Sequence, residues 1–247
     1  MKIFVLNLER ALERRESMLQ HLSSLGIEAE ILPAVEGARL PASSLPAGTD
    51  ARLSPGEIGC YLSHVRFWEI VVERGLEHAI VLEDDVRCSP SMLQVAEDVA
   101  ALGMPFDAVR LSALNPIRGL DITTLPHGGK LVLPNKNPSG TQGYMVTLEG
   151  ARHLLERLAV PRCPIDTALD AYWKHGLCIP LVSPSVVAED AGIASSIEGR
   201  FGRRQRKTLG RHLARVAEAQ RRKFSVFLMA RRLRARLQRR AQGNPAQ

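Results

Sequence analysis

Apolar and polar residues alternate along this chain in blocks that switch between two periods. Lys2–Leu8 (KIFVLNL) is a compact apolar run of strand length. The charged stretch over residues 9–25 that follows reads as a helix and stops at Gly26, a residue suited to the left-handed position after a helix. Ile27–Ala34 resumes as strand, and residues 36–53, rich in Pro, Ala and Ser, read as loop.

The sharpest local signal comes next. Ser54 is followed by Pro55 and, three residues on, by Glu57, which together predict a capping box with proline at the first helical position. Ile58, Tyr61, Leu62, Val65, Trp68 and Val72 then share one helical face, and Gly75 ends the run. Ala79–Leu82 is a short buried strand running into Glu83-Asp84-Asp85. Ser89-Pro90 predicts another helix start by the same logic. Strands are expected near 107–112 and 143–148, and helices near 149–158 and 165–175. Strands alternating with helices in this way predict an α/β sheet.

Charge divides the chain. Of 33 Lys and Arg, sixteen lie in residues 200–247 against the single acid Glu218, a net +15; the first 199 residues carry the other seventeen against 25 acids, a net −8. This predicts an acidic enzyme-like body over 1–199 and a basic helical extension over 200–247. In the extension Arg203, Arg204, Arg206, Lys207, Arg211, Arg215, Arg221, Arg222 and Lys223 interleave with Leu209, Leu213, Val216, Phe224, Phe227 and Leu228, a basic amphipathic pattern that continues to Arg240. The partner expected for it is an anionic membrane surface rather than nucleic acid, or else it is a solvated extension. No secretory signal and no membrane-spanning run is visible. The four cysteines form no C-x-x-C pair, so a reducing, cytoplasmic setting is expected. Hydrolase elements of the G-x-S-x-G or H-E-x-x-H type are absent.

The acidic triplet carries the chemistry. Three carboxylates at the end of a buried strand repel one another unless a cation compensates them, and strand ends are where α/β sheets bind ligands. Strand alternation would turn Glu83 and Asp85 to one side and Asp84 to the other. One acid would then meet a ribose and another a divalent metal carrying a diphosphate. The alternative is a solvated acidic turn.

Five stretches in order resemble glycosyltransferase family 25, the lipooligosaccharide galactosyltransferase type. They are Asn7-Leu8 with Arg10, Arg14 and Arg15; Leu53 to His64 (LSPGEIGCYLSH); Val81 to Val86 (VLEDDV); Gly140-Thr141-Gln142-Gly143-Tyr144; and Pro164-Ile165-Asp166 with Asp170. The resemblance covers residues 1–195. It implies a GT-A-like single Rossmann-type nucleotide-sugar-binding domain and a UDP-sugar donor. It further implies a divalent metal at Glu83 and Asp85 (Mn²⁺ ahead of Mg²⁺), and inverting transfer, commonly of galactose, to a GlcNAc or glucose terminus of a glycolipid. Donor contacts are then expected from Asn7, Arg10, Arg14, His64, Glu83, Asp84, Gly140, Thr141, Gln142 and Gly143. Gly140 and Gly143 would allow a tight turn and close backbone approach to the sugar, and Tyr144 either stacks on a sugar or fills the core. An inverting transfer needs a general base, for which Asp166 and Asp170, four residues apart on one helical face, are the candidates. Glu189 and Asp190 are the weaker alternative. The enzyme would sit on the inner face of the cytoplasmic membrane, where such an acceptor is built.

Overall fold

The computed structural model describes residues 1–190 and 209–242. In chain order the elements are β1 (Lys2–Asn7), α1 (Leu12–Ser24), β2 (Glu30–Pro33), α2 (Pro55–Glu73), β3 (His78–Glu83), β4 (Val86–Cys88), α3 (Met92–Ala101), β5 (Ala108–Arg110), β6 (Gly119–Thr124), β7 (Lys130–Pro134), β8 (Gly143–Thr147), α4 (Leu148–Leu158), α5 (Ile165–Asp170), β9 (Leu181–Ser183), β10 (Val187–Glu189) and α6 (Leu209–Ala241). Eight strands form one mixed sheet in the order β2-β1-β3-β8-β5-β9-β7-β6. β2, β1 and β3 run parallel, as their helical crossovers require, while β8 is antiparallel to both β3 and β5. β4 and β10 make a separate two-stranded ribbon. This mixed α/β arrangement fits a Rossmann-like glycosyltransferase fold.

The strongest sequence signals correspond to the observed elements. The Ser54 side chain accepts from the Glu57 amide at 3.2 Å, and the Glu57 carboxylate accepts from the Ser54 amide at 2.8 Å. Gly75 and Gly26 take positive φ angles of 60° and 69° at the ends of α2 and α1. Ala79, Ile80, Val81 and Leu82 of β3 are wholly buried, as a central strand covered on both faces must be.

Other elements differ from expectation. α3 begins at Met92, and Ser89 spends its hydroxyl on Ser91 (3.1 Å) instead of capping the helix. The helix expected over 165–175 stops at Asp170 and gives way to a 3₁₀ turn at Tyr172–Lys174, where the buried Tyr172 hydroxyl donates to the Pro134 carbonyl (2.7 Å). The sequence predicts neither β6 nor β7: Gly119–Thr124 (GLDITT) lies at the sheet edge with little burial, while Lys130–Pro134 (KLVLP) is a buried apolar run of only five residues.

The compositional change near residue 199 does not divide the core. α6 lies across β6 and β7, and its Val226, Ala230 and Leu233 are buried in the same apolar cluster as the sheet. These residues recur at i, i+4 and i+7, one stripe of a helix. The stripe packs on β6 and β7, and Arg234 of the same helix donates to the Asp121 carbonyl of β6. Arg203, Arg204, Arg206 and Lys207 lie outside the described residues.

Candidate active site

The cleft opens at the carboxyl ends of the parallel strands β1 and β3, which pair with Leu6 opposite Glu83. Its walls include Arg14, Gly37, Cys60, His64 and the three acids. One wall is assembled by close backbone packing. A Cβ on Gly37 would meet the Pro55 carbonyl oxygen at 1.8 Å, and one on Gly59 would meet the Val35 carbonyl at 2.5 Å. Only glycine lets the loop after β2 lie this tightly on the first turns of α2.

The triplet does not follow strand alternation. β3 ends at Glu83, so Asp84 and Asp85 lie in a turn and the period of two lapses. Asp84 therefore does not point away from its neighbours. It accepts from the Asn7 amide at 2.7 Å and from Arg14 at 3.2 Å, and the same guanidinium stands 3.9 Å from Asp85. Asn7 also donates to the Ala11 carbonyl (3.0 Å), which ties the start of α1 to the acids. Glu83 turns to the other side, where it accepts from the Thr141 hydroxyl at 2.5 Å and lies 3.9 Å from His64 Nε2.

Asp85 is the acid without enough partners. Its Oδ1 is buried and unpartnered among the described residues. Burial, then the charges of Glu83 and Asp84, push its pKa up to about 6, against the pull of Arg14. A cluster of oxygen ligands with one carboxylate oxygen unsatisfied suits a hard divalent cation. Asp85 offers that unsatisfied oxygen, whereas Asp84 is committed to Asn7 and Arg14 and Glu83 accepts from Thr141 on the other side.

Gly140 occupies a positive-φ position (74°), and the turn it forms is held from two sides. The Ser139 amide donates to Asp170 at 3.2 Å, and the Gly140 amide approaches Asp166 at 3.5 Å. The two aspartates do share a side of α5, but their surroundings differ. Asp170 is 4% exposed and locked in an ion pair with the buried Arg110. Asp166 accepts from the Thr167 amide (2.6 Å) and lines a neighbouring cleft with Cys60 and Thr141, two residues at the edge of the triplet's site.

Arg10 is exposed, lines the cleft at its rim and pairs there with Glu36 (3.0 Å). Other expected donor contacts sit elsewhere. Gly143 is paired in β8 opposite Leu82, and a Cβ there would crowd Leu82 and Val187, so its small size serves strand packing rather than sugar approach. The Gln142 side chain is buried and donates to Glu189 at 3.1 Å. Tyr144 is core, with its hydroxyl between His64 and Trp68. Sequence reasoning missed Arg110. Its signal was a lone cation inside a strand (AVRLS) otherwise free of charge, which must find a buried partner.

A family model described as "Glycosyltransferase family 25 (LPS biosynthesis protein)" matches residues 1–118, a stretch containing Asn7, Arg14, His64 and the triplet. A glycosyltransferase 25 family member of Anopheles gambiae is 32% identical over 192 residues, covering 68% of this chain and 31% of that protein. The chain belongs to glycosyltransferase family 25. Other members it resembles include inactive glycosyltransferase 25 family member 3 of Mus musculus (34% identical, 68% of this chain, 31% of that protein) and procollagen galactosyltransferase 1 of Danio rerio (30%, 70% and 32%). The chain spans about a third of the length of these family 25 relatives.

Proposed function

We propose that the chain is a metal-dependent inverting galactosyltransferase of GT-A type, moving galactose from UDP-galactose to a GlcNAc or glucose terminus of a glycolipid. The observation that carries this reading is the unsatisfied Asp85 oxygen among three carboxylates at the carboxyl end of β3. The family description's reference to LPS biosynthesis supports a carbohydrate acceptor, and the Danio rerio relative's name supports galactose. Glu83 and Asp85 would hold a divalent cation, which would supply neutralisation of the charge that develops on the departing diphosphate. Arg14 holds Asp84 and Asp85 in place, and Asn7 and Thr141 orient Asp84 and Glu83. Asp166, the accessible member of its pair, takes the proton from the attacking acceptor hydroxyl.

The test is UDP release from a panel of UDP-sugars with GlcNAc- and glucose-terminated acceptors, in Mn²⁺, in Mg²⁺ and in chelator. Acceptor-dependent release from UDP-galactose that chelator abolishes is the expected result. Release from UDP-glucose or a UDP-hexosamine instead overturns the donor. A second reading, nucleotide-sugar binding without transfer, is favoured by the relatives named inactive; it predicts metal-dependent UDP binding with no release from any donor. A non-catalytic adaptor predicts neither.

The acceptor reading includes an anionic membrane. α6 divides its apolar residues between two faces: Val226, Ala230 and Leu233 turn to the body, while Phe224 and Phe227 stand exposed, with Arg221, Lys223, Arg231 and Arg232 exposed around them. Exposed aromatics ringed by cations suit the headgroup region of an anionic leaflet. Such a surface supports the reading that the enzyme works on the inner face of the cytoplasmic membrane. Deleting the helix would uncover the core, so point variants are the appropriate probe. Phe224→Ser with Phe227→Ser is expected to reduce pelleting with phosphatidylglycerol vesicles several-fold and to leave turnover on soluble acceptor unchanged. Equal pelleting of variant and parent would sink the membrane reading.

A further inference from the structure

His64, Trp68 and Tyr144 form a chain of hydrogen bonds whose direction can be worked out. His64 is wholly buried on α2, one turn before Trp68, and Tyr144 reaches both of them from β8. An indole N–H can only donate, and that of Trp68 donates to the Tyr144 oxygen at 2.8 Å. The phenol keeps its own hydrogen, because burial raises the Tyr144 pKa well above the usual tyrosine range. Among the described residues, the other hydrogen-bond partner of the phenol is His64 Nδ1, at 3.0 Å. The phenol therefore donates to Nδ1, and an imidazole accepting at Nδ1 carries its hydrogen on Nε2. His64 lines the cleft, and its buried Nε2 has no hydrogen-bond partner among the described residues, the Glu83 carboxylate standing 3.9 Å away.

We infer that Trp68 and Tyr144 are positioning residues that hold His64 in its Nε2–H tautomer, so that one N–H donor is aimed into the cleft at an anionic oxygen of the nucleotide diphosphate. The tautomer follows from the hydrogen-bond chain alone; the ligand rests on the function proposed above. A donor at this point has a distinct use. The cleft is lined by three carboxylates, so an incoming diphosphate needs hydrogen-bond donors as well as a cation, and a preorganised N–H costs no reorientation when the ligand arrives.

The same cluster could be read as a cation site, since ligand atoms of Cys60, His64 and Glu83 lie within 4.8 Å of one another. Thiolate, imidazole and carboxylate would suit Zn²⁺. Ligation, however, uses the Nε2 lone pair and moves the ring hydrogen to Nδ1. The Tyr144 hydrogen would then be buried without an acceptor, a state that proteins rarely tolerate.

The experiment is nitrogen NMR of the full chain labelled with ¹⁵N-histidine, with the His64 signals identified by their loss in His64→Gln. The wild-type spectrum is expected to show Nε2 protonated and Nδ1 as the bare acceptor. Trp68→Phe keeps an aromatic ring at this buried position, removes the indole N–H at the cost of a cavity, and touches nothing in the cleft. It frees the Tyr144 oxygen to accept from Nδ1–H, so a mixture of tautomers is expected, with UDP–Mg²⁺ affinity falling about 3- to 10-fold. Tyr144→Phe should give the same mixture if Trp68→Phe does not fold. Addition of UDP with diamagnetic Mg²⁺ is expected to move the Nε2–H signal. Protonated Nδ1 in the wild type, an unchanged tautomer in both variants, or Nε2 taken up as a ligand by added Zn²⁺ would each overturn the tautomer assignment. UDP binding that leaves Nε2–H unmoved overturns the diphosphate contact while the transferase reading stands. Failure of UDP to bind at all defeats the transferase reading and the diphosphate contact together, with the tautomer still read directly from the wild-type spectrum.

Discussion

Asp85→Asn is expected to abolish turnover and, at the same time, to stabilise the metal-free protein. The two effects have one cause. Asp85 is buried beside Glu83 and Asp84, and its pKa stands at about 6 against an ordinary 3.8. That difference corresponds to at most about 3 kcal/mol of penalty on the charged form. Replacing the carboxylate by an amide should therefore raise stability in chelator at pH 7 by about 1–3 kcal/mol, which a thermal melt would read as a Tm increase of several degrees. The amide oxygen can still face Arg14, so the turn is retained. The sign also sets a pH dependence. A carboxyl raised in the folded state binds its proton more tightly there than in the unfolded chain. The wild type without metal should thus lose stability as pH rises from about 4 through 6, and the variant should lack that slope. Turnover should fall about 10³-fold or more, because several kcal/mol of leaving-group stabilisation goes with the ligand. Unchanged melting together with unchanged turnover would mean that Asp85 is an ordinary solvated acid.

The two candidate bases should separate cleanly. Asp166→Asn is expected to lower kcat by about 10²- to 10⁴-fold with little change in Tm, the pattern of a lost general base. Asp170→Asn removes the counter-charge of Arg110 inside the core and should cost about 3–5 kcal/mol of stability. Its activity would fail through the fold, because Asp170 and Arg110 together hold Ser139 ahead of the Gly140 turn. A double variant, Arg110→Met with Asp170→Asn, should recover part of the lost stability, since no charge is then left unpaired. Wild-type turnover in Asp166→Asn would remove that residue from the mechanism, and a stable Asp170→Asn would refute the structural role given to its ion pair.

Features that act over a few residues were legible in the chain. The capping box at Ser54 and Glu57, the glycine stops at Gly26 and Gly75, and the buried run of β3 depend on backbone sterics and on hydrogen bonds between near neighbours, which recur wherever those residues occur. The position of the acids was legible for the same reason, since β3 had to end where its apolar run ended. Membership of family 25 could be read from five short stretches in order, now joined by the family match over residues 1–118.

What the tertiary structure alone decided is which groups meet. Asp166 and Asp170 are indistinguishable by spacing, and only the approach of Arg110 from β5, 60 residues earlier, makes one of them a buried ion pair. Strand alternation misassigned Asp84 because the strand ended one residue too soon, and the partners that reclaim it, Asn7 and Arg14, come from elements about 70 residues away. The pattern in α6 singled out Phe224 and Phe227, which stand exposed, and not Val226, Ala230 and Leu233, which the sheet buries. By itself the sequence determined α2, β3 and the acidic triplet at the end of β3, because those follow from local sterics and charge. The role of each acid, and the direction in which His64 holds its hydrogen, depend on contacts across the sheet that no local pattern encodes.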